Sequence, residues 1–161
     1  MEREYLLLLP IEPFSIGDTF ESGAQLPLHC TVMYWFKPGW GNMLEAITES
    51  LKAVALINLA DIKLISTMPA RLGPKRDISV HLFERDPPLL YLHTAVLLLL
   101  AKMNSLPRDL KLAGAGYVPH VTSTDRAFPP GSECFPRELV LIERGEDGAK
   151  KVSARFPLFR T

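Results

Sequence analysis

The alternation of apolar and polar positions divides most of this chain into short strands. Residues 5–11 form a continuous apolar run, which is typical of a strand covered on both faces. Period-two alternation indicates strands over 60–68 and 78–83. The full set of predicted strands is 5–11, 28–36, 60–68, 78–83, 117–124, 138–143 and 152–159.

Two segments have helical periodicity instead. Residues 43–56 place apolar side chains three or four positions apart, and Asn42 precedes them as a candidate N-cap. Residues 89–103 are apolar nearly all round and follow Pro87 and Pro88, which suit a first helical turn. We expect this second helix to be central and buried.

Glycine and proline mark the connections. Residues 14–26 read as a loop long enough to reach over a site, and residues 69–74 as a turn rich in proline and glycine. Residues 128–136 read as a further loop. The tetrad Gly145-Glu146-Asp147-Gly148 is a hairpin signal between the last two strands.

Charge and composition narrow the function. Lysine plus arginine and aspartate plus glutamate both number 18 in 161 residues, so no net field attracts duplex DNA or a membrane surface. A small nucleotide or an RNA end is compatible with that balance. The longest apolar block, 94–101, is far shorter than the roughly 20 residues that span a bilayer. No signal-peptide layout opens the chain. We therefore expect a soluble, cytoplasmic monomer.

One short pattern occurs twice. His29-Cys30-Thr31-Val32 and His120-Val121-Thr122-Ser123 both have the form His-x-Thr-x, and each lies in a predicted strand. Since side chains alternate along a strand, each histidine shares a face with the threonine two positions on. Cys30 then faces away from His29 and reads as a small buried thiol. The other strand-face neighbour, Ser123, points away from Thr122 and reads as structural.

The repeat and the order of elements together predict an α+β fold. We expect two pseudo-symmetric lobes of antiparallel sheet with flanking helices, and motif strands that line a central cleft. The two histidines are 120 − 29 = 91 residues apart, as a doubled arrangement needs. Residues 1–161 are interpreted as a single bilobal domain.

The paired motifs resemble those of the two-histidine (2H) phosphoesterase superfamily. The resemblance rests on His29-Cys30-Thr31-Val32, on Pro119-His120-Val121-Thr122-Ser123 and on a helix carrying Leu92-His93 between them. Ser123 departs from the apolar residue that the family more often has. The superfamily includes 2′-5′ RNA ligase-like proteins and cyclic phosphodiesterases. The resemblance implies a phosphodiesterase for 2′,3′-cyclic phosphates or 2′-5′ linkages, with reverse 2′-5′ ligation also open.

The same residues suit this chemistry on physical grounds. Imidazole is populated in both protonation states near neutral pH, so His29 and His120 can divide general base and general acid catalysis. The hydroxyls of Thr31 and Thr122 can hydrogen-bond the non-bridging phosphate oxygens. Which histidine is the base stays open. We expect no metal and no other cofactor.

Four further residues are candidates for substrate contacts. Arg126 follows the second motif and could bind phosphate. Tyr34, Trp35 and Trp40 follow the first motif and could stack on a nucleobase, although core packing explains aromatic residues equally well.

Two alternatives remain at this stage. A nucleotide or RNA-end binding module on the same fold would keep the cleft without turnover, and a metal-dependent hydrolase would be sensitive to chelation. A zinc site would need converging ligands, and Cys30 faces away from His29. His81 and His93 are interpreted as packing histidines.

Overall fold

The strands of this protein pair into two antiparallel sheets, and two helices accompany them. The computed structural model describes residues 2–39, 43–57, 61–122 and 128–158. The helices are α1 (Met43–Ile57) and α2 (Pro87–Lys102). The strands are β1 (Glu4–Pro10), β2 (Thr19–Phe20), β3 (His29–Phe36), β4 (Leu64–Leu72), β5 (Ile78–Phe83), β6 (His120–Thr122), β7 (Glu133–Cys134), β8 (Glu138–Arg144) and β9 (Lys150–Pro157). The predicted α+β class is confirmed.

The strand order places the two motif strands at sheet edges. The first sheet has the order β2-β9-β8-β1-β3, and the second has the order β6-β5-β4-β7. The motif strands β3 and β6 each end their own sheet, and they contact one another. Strands β8 and β9 join the sheet of the first motif, so the two lobes do not coincide with the two halves of the chain.

One face of the first sheet builds the main core. Leu7 and Leu9 of β1 and Cys30 of β3 are fully buried on this face. They pack with α1 and α2, whose buried positions include Ile47 and Leu92. The helices therefore cover the face that carries Cys30, and the predicted burial of this cysteine is confirmed.

The opposite face of the same sheet has a second, smaller core. Leu6 and Leu8 of β1 pack there with Phe14, which comes from the segment between β1 and β3. Thr31 is paired with Leu8, and paired residues in an antiparallel ladder share a face. His29 and Thr31 therefore lie on the face that no helix covers.

Helix α2 is central, but it is not buried all round. Asp86 caps its N-terminus, because its carboxylate accepts a hydrogen bond of 3.2 Å from the backbone N–H of Leu89. The sequence predicts a central, buried helix, and α2 is buried along one face, whereas Tyr91 and Leu98 on the other side are exposed by 61% and 65%. The predicted cap of α1, Asn42, lies outside the described residues.

Strand β4 continues through Pro69, where the sequence predicts a turn. The pairing of β4 with β5 changes register between Ser66 and Pro69. At such an irregularity the missing N–H of proline costs little, because the ladder is already interrupted. The turn lies at Gly73, where φ is +94°, and Arg76 donates its N–H to the Gly73 carbonyl over 3.0 Å.

Other strand boundaries also differ from prediction. Strand β6 begins at His120 and not at the predicted residue 117, because residues 117–119 lie outside the ladder that pairs β6 with β5. Strand β9 begins at Lys150, two residues before the predicted start. The two-residue strands β2 and β7 carry no readable period and are not predicted by the sequence.

The two sheets are joined by a polar contact between the motif segments. Tyr117, just before β6, is buried and donates its hydroxyl to the Thr31 carbonyl over 2.8 Å. Its ring stacks on His93 of α2, with centroids 3.9 Å apart and planes 3° apart. The Nδ1 of His93 lies 2.7 Å from the Val32 carbonyl, and its Nε2 accepts from the Gly114 N–H over 2.9 Å. His93 is thus a fully bonded packing histidine.

Removing the Tyr117 hydroxyl tests this connection. Tyr117→Phe keeps the ring stack and leaves the Thr31 carbonyl with only the weak Cys30 thiol donor, 3.8 Å away, so the free energy of unfolding should fall by about 1 kcal/mol. Urea unfolding measures this difference. Tyr91→Phe, a hydroxyl deletion on the exposed side of α2, serves as the control and should be neutral. Equal stability of the two variants would contradict the role of the contact.

Candidate active site

The ring of His29 is oriented by its own backbone. His29 is the first residue of β3, and its Nδ1 lies 2.8 Å from the carbonyl of Pro27. A carbonyl only accepts, so in the neutral ring Nδ1 carries the proton and Nε2 keeps its lone pair. The Phe14 ring packs edge-on against the imidazole, with centroids 6.4 Å apart. Nε2 is therefore the nitrogen that can exchange a proton with a ligand.

The second histidine repeats this arrangement. His120 is the first residue of β6, and its Nδ1 lies 2.8 Å from the carbonyl of Val118. In both motifs the carbonyl comes from two residues before the histidine. The two rings therefore have the same tautomer and present the same nitrogen.

The threonines lie one strand repeat beyond the histidines. In β6, His120 is paired with Leu82 and Thr122 with Val80, so the two motif residues share a face. Thr31 is half-buried and Thr122 is exposed. The predicted common face of histidine and threonine is present in both strands.

A cleft of about 270 Å³ lies between the motif strands. His29 and Thr31 line it from β3, and Val121 and Thr122 line it from β6. His120 does not form part of its wall, but it is near enough for its positive charge to influence His29. Three of the four motif side chains thus border one cavity, and the fourth lies beside it.

Burial lowers the pKa of both histidines below the usual value. For His29 the hydrogen bond to Pro27 opposes the effect of burial, and a positive charge on His120 lowers the pKa further. For His120 the hydrogen bond to Val118 opposes burial in the same way. A proton on His120 therefore makes protonation of His29 less favourable, so the two rings take up protons at different pH values.

The residue behind the motif is chemically quiet. Cys30 is fully buried on the opposite face from His29, and burial raises the pKa of its thiol to about 12. Its Sγ lies 3.8 Å from the Tyr117 hydroxyl. The thiol remains protonated and contributes to packing between the sheets.

The predicted substrate contacts have different outcomes. Tyr34 lines the cleft, and burial raises the pKa of its hydroxyl, so it stays neutral. Trp40 and Arg126 lie outside the described residues, as does Ser123. The stacking role of Trp40 and the phosphate role of Arg126 therefore stay predictions.

Trp35, a further stacking candidate, lines the cleft as Tyr34 does. Two polar lining residues, Gln25 and Lys150, are not among the predicted site residues. The sequence pattern places Lys150 between the hairpin turn and a strand that begins at Val152. Val152 is buried, and Lys150 shares its face because it lies two positions earlier in the same strand. A predicted strand that began at Lys150 would have placed the lysine on that face.

In the described part of the chain, no group of three or more His, Cys, Asp or Glu side chains could hold a metal ion. Within the same residues, no helix combines the length and apolar character needed to cross a bilayer.

The similarity of this chain to known proteins lies in its structure. No protein-family model matches the chain, and no curated protein matches it. Solved structures do match along nearly its full length. Escherichia coli LigT complexed with 3′-AMP superimposes with a TM-score of 0.63 at 13% sequence identity, covering 98% of this chain and 99% of LigT.

Two further structures agree with this match. A phosphoesterase has a TM-score of 0.62 at 13% identity, with 98% of this chain and 99% of that chain covered. The Thermus thermophilus protein TT0787 has a TM-score of 0.56 at 17% identity, with 98% of each chain covered. The chain therefore has the fold of LigT and of these two proteins.

Proposed function

We propose that this protein is a two-histidine phosphoesterase that acts on 2′,3′-cyclic phosphate or 2′-5′-linked nucleotides and RNA ends. The observation that carries the proposal is the repeated geometry of the motifs. Each histidine binds the carbonyl two residues before it through Nδ1, and each shares a strand face with a threonine. The fold shared with LigT and a phosphoesterase supports the same activity.

The proposed reaction needs one neutral and one protonated histidine. The neutral ring accepts a proton at Nε2 from the attacking water or hydroxyl, and a new P–O bond forms. The protonated ring donates its Nε2 proton to the leaving oxygen as the old P–O bond breaks. The two rings exchange protonation states in each turnover, and exchange with solvent restores them.

The threonine hydroxyls have a separate task. As donors, Thr31 and Thr122 can bind the non-bridging oxygens, whose negative charge grows as the attacking oxygen approaches. In the opposite direction, a 5′-hydroxyl attacks the 2′,3′-cyclic phosphate, the bond from phosphorus to the 3′-oxygen breaks, and a 2′-5′ linkage results. Substrate orientation decides which histidine acts as the base.

Replacing either histidine tests the assignment. His29→Ala and His120→Ala should each lower kcat/KM by about 10²–10⁴-fold, since each removes one proton transfer. The assay is hydrolysis of 2′,3′-cyclic nucleotides and 2′-5′ dinucleotides, with circular dichroism to verify folding. His81→Ala is the matched control, because His81 is paired with Val121 and so lies on the other face of the sheet from His120.

Activity near wild type in either motif variant would refute the proposal. Nucleotide binding by the wild-type protein without any turnover would instead favour a binding module on the same fold.

The pH profile of kcat/KM should be bell-shaped and displaced toward acid. The base must be neutral and the acid protonated, and burial lowers the pKa of both rings. Both limbs therefore move below the ordinary histidine value of about 6.5, and the maximum should lie at slightly acidic pH. A rate that rises steadily from pH 5 to pH 9 is the contrary outcome.

Chelation should leave the activity unchanged. Every proton transfer and phosphate contact in the proposed reaction is assigned to a side chain, so no step requires a metal ion. The measurement is kcat before and after dialysis against EDTA, followed by addition of zinc or magnesium. Loss on dialysis with recovery by a metal would favour the metal-dependent hydrolase.

A further inference from the structure

The cleft extends well beyond the motif residues. The register of the first sheet defines its direction, because Pro10 of β1 is paired with His29 and Tyr5 with Phe36. The pairing of β3 with β1 is irregular at two points, so Thr31 to Phe36 lies opposite Leu8 to Tyr5, which is about 10 Å of strand at about 3.3 Å per residue. Trp35 lies at the far end of this distance and still lines the same cleft. The cleft is therefore a trough along the open face of the sheet.

Apolar side chains line the trough beyond the motif residues. Leu6, Leu26 and Trp35 border it, and all three belong to the smaller core of that face. The Arg144 guanidinium lies 3.9 Å from the centroid of the Trp35 ring and covers one of its faces. Such a surface suits the flat, weakly polar part of a nucleoside and does not suit a second phosphate.

A lysine borders the far end. Across the sheet, Lys150 is paired with Arg144 of β8, and Arg144 is paired with Glu4 of β1. Glu4 precedes Tyr5, which is paired with Phe36 at the end of β3. Lys150 therefore lies level with the end of β3 opposite to His29. An ammonium group there is too far from the motif threonines to hold the phosphate that they bind.

The side chain of Lys150 points to the trough side of the sheet. Lys150 is paired with Phe20 and lies two residues before Val152, and both of these side chains pack in the core of the open face. Its Nζ donates to the Ala24 carbonyl over 3.3 Å. An ammonium carries three protons, so this contact leaves it able to bind an anion as well. The neighbouring Gln25 borders the trough beside it.

The charges along the trough favour an anion at this end. Lys150 is the only lysine or arginine among the described residues that line the trough, and none of those residues is an aspartate or a glutamate. Low-polarity walls on either side strengthen the attraction between the ammonium and a ligand anion.

We propose that Lys150, with Gln25 beside it, forms a subsite for a second anionic group of the substrate. The preferred substrates are then nucleotides or short oligonucleotides with a phosphate at least one nucleoside away from the phosphodiester that reacts. The reacting end of this substrate rests on the proposed two-histidine function. The subsite itself rests on the register and on the lining of the trough.

The experiment compares substrates that differ by one phosphate. The probes are adenosine 2′,3′-cyclic phosphate and the adenylyl dinucleotide ending in the same cyclic phosphate, each with a 5′-hydroxyl and with a 5′-phosphate. Wild-type protein should use the 5′-phosphorylated form more efficiently at one or both lengths. Lys150→Ala should lower kcat/KM for that form about tenfold and leave the 5′-hydroxyl form nearly unchanged.

Lys151→Ala is the matched control. It removes the same charge from the neighbouring position, whose side chain points to the other face of β9. It should keep the preference for the 5′-phosphate. The wild-type preference should also weaken as salt is added, because screening reduces attraction to an ammonium.

The subsite is refuted by either of two results: no 5′-phosphate preference at either length, or the same loss in both lysine variants. If no substrate is turned over, the proposed function fails and the subsite is tested by binding. Calorimetry should then show that a 5′-phosphate tightens binding of adenosine 2′-phosphate, of the adenylyl dinucleotide ending in a 2′-phosphate, or of both, and that Lys150→Ala abolishes the difference. Equal affinities with and without the 5′-phosphate at both lengths in the wild-type protein would refute the subsite without regard to catalysis.

Discussion

The architecture depends on the contact between two edge strands. An edge strand has backbone groups without a neighbouring strand to pair with, and they need other partners. In β3 the carbonyls of Thr31 and Val32 find them in the Tyr117 hydroxyl and the His93 ring. Tyr117 leads directly into β6, so the contact that satisfies one edge also positions the other. The motif residues of the two strands meet because the sheets are joined there.

The same arrangement gives the two histidines equivalent chemistry. Each ring bonds a carbonyl of its own strand, at a spacing that the extended backbone sets locally. Neither requires a carboxylate partner to fix its tautomer. Burial then lowers the pKa of both rings, and the influence of His120 on His29 separates their titrations. Two identical side chains thus differ in how readily they take up a proton because of their surroundings.

The first sheet has its main core on one face and the cleft on the other. The helices cover the face of Cys30, where the main core lies. The other face is covered only in part, by Phe14 and the segment around it, and the trough occupies the remainder. Because β8 and β9 complete this sheet, Lys150 near the end of the chain lies along the same trough as His29 near its start.

Local periodicity by itself determined the fold class, most strands, the two helices and the shared face of each histidine and threonine. These features depend on the period of two residues in a strand or 3.6 residues in a helix, and such a period can be recognised from residues that are close together in the sequence. The tertiary structure decided that β3 and β6 are edges, that Tyr117 reaches Thr31 and that Lys150 borders the trough. These contacts join residues about 90 to 120 positions apart, as pairing between distant strands requires, and no local pattern encodes strand order.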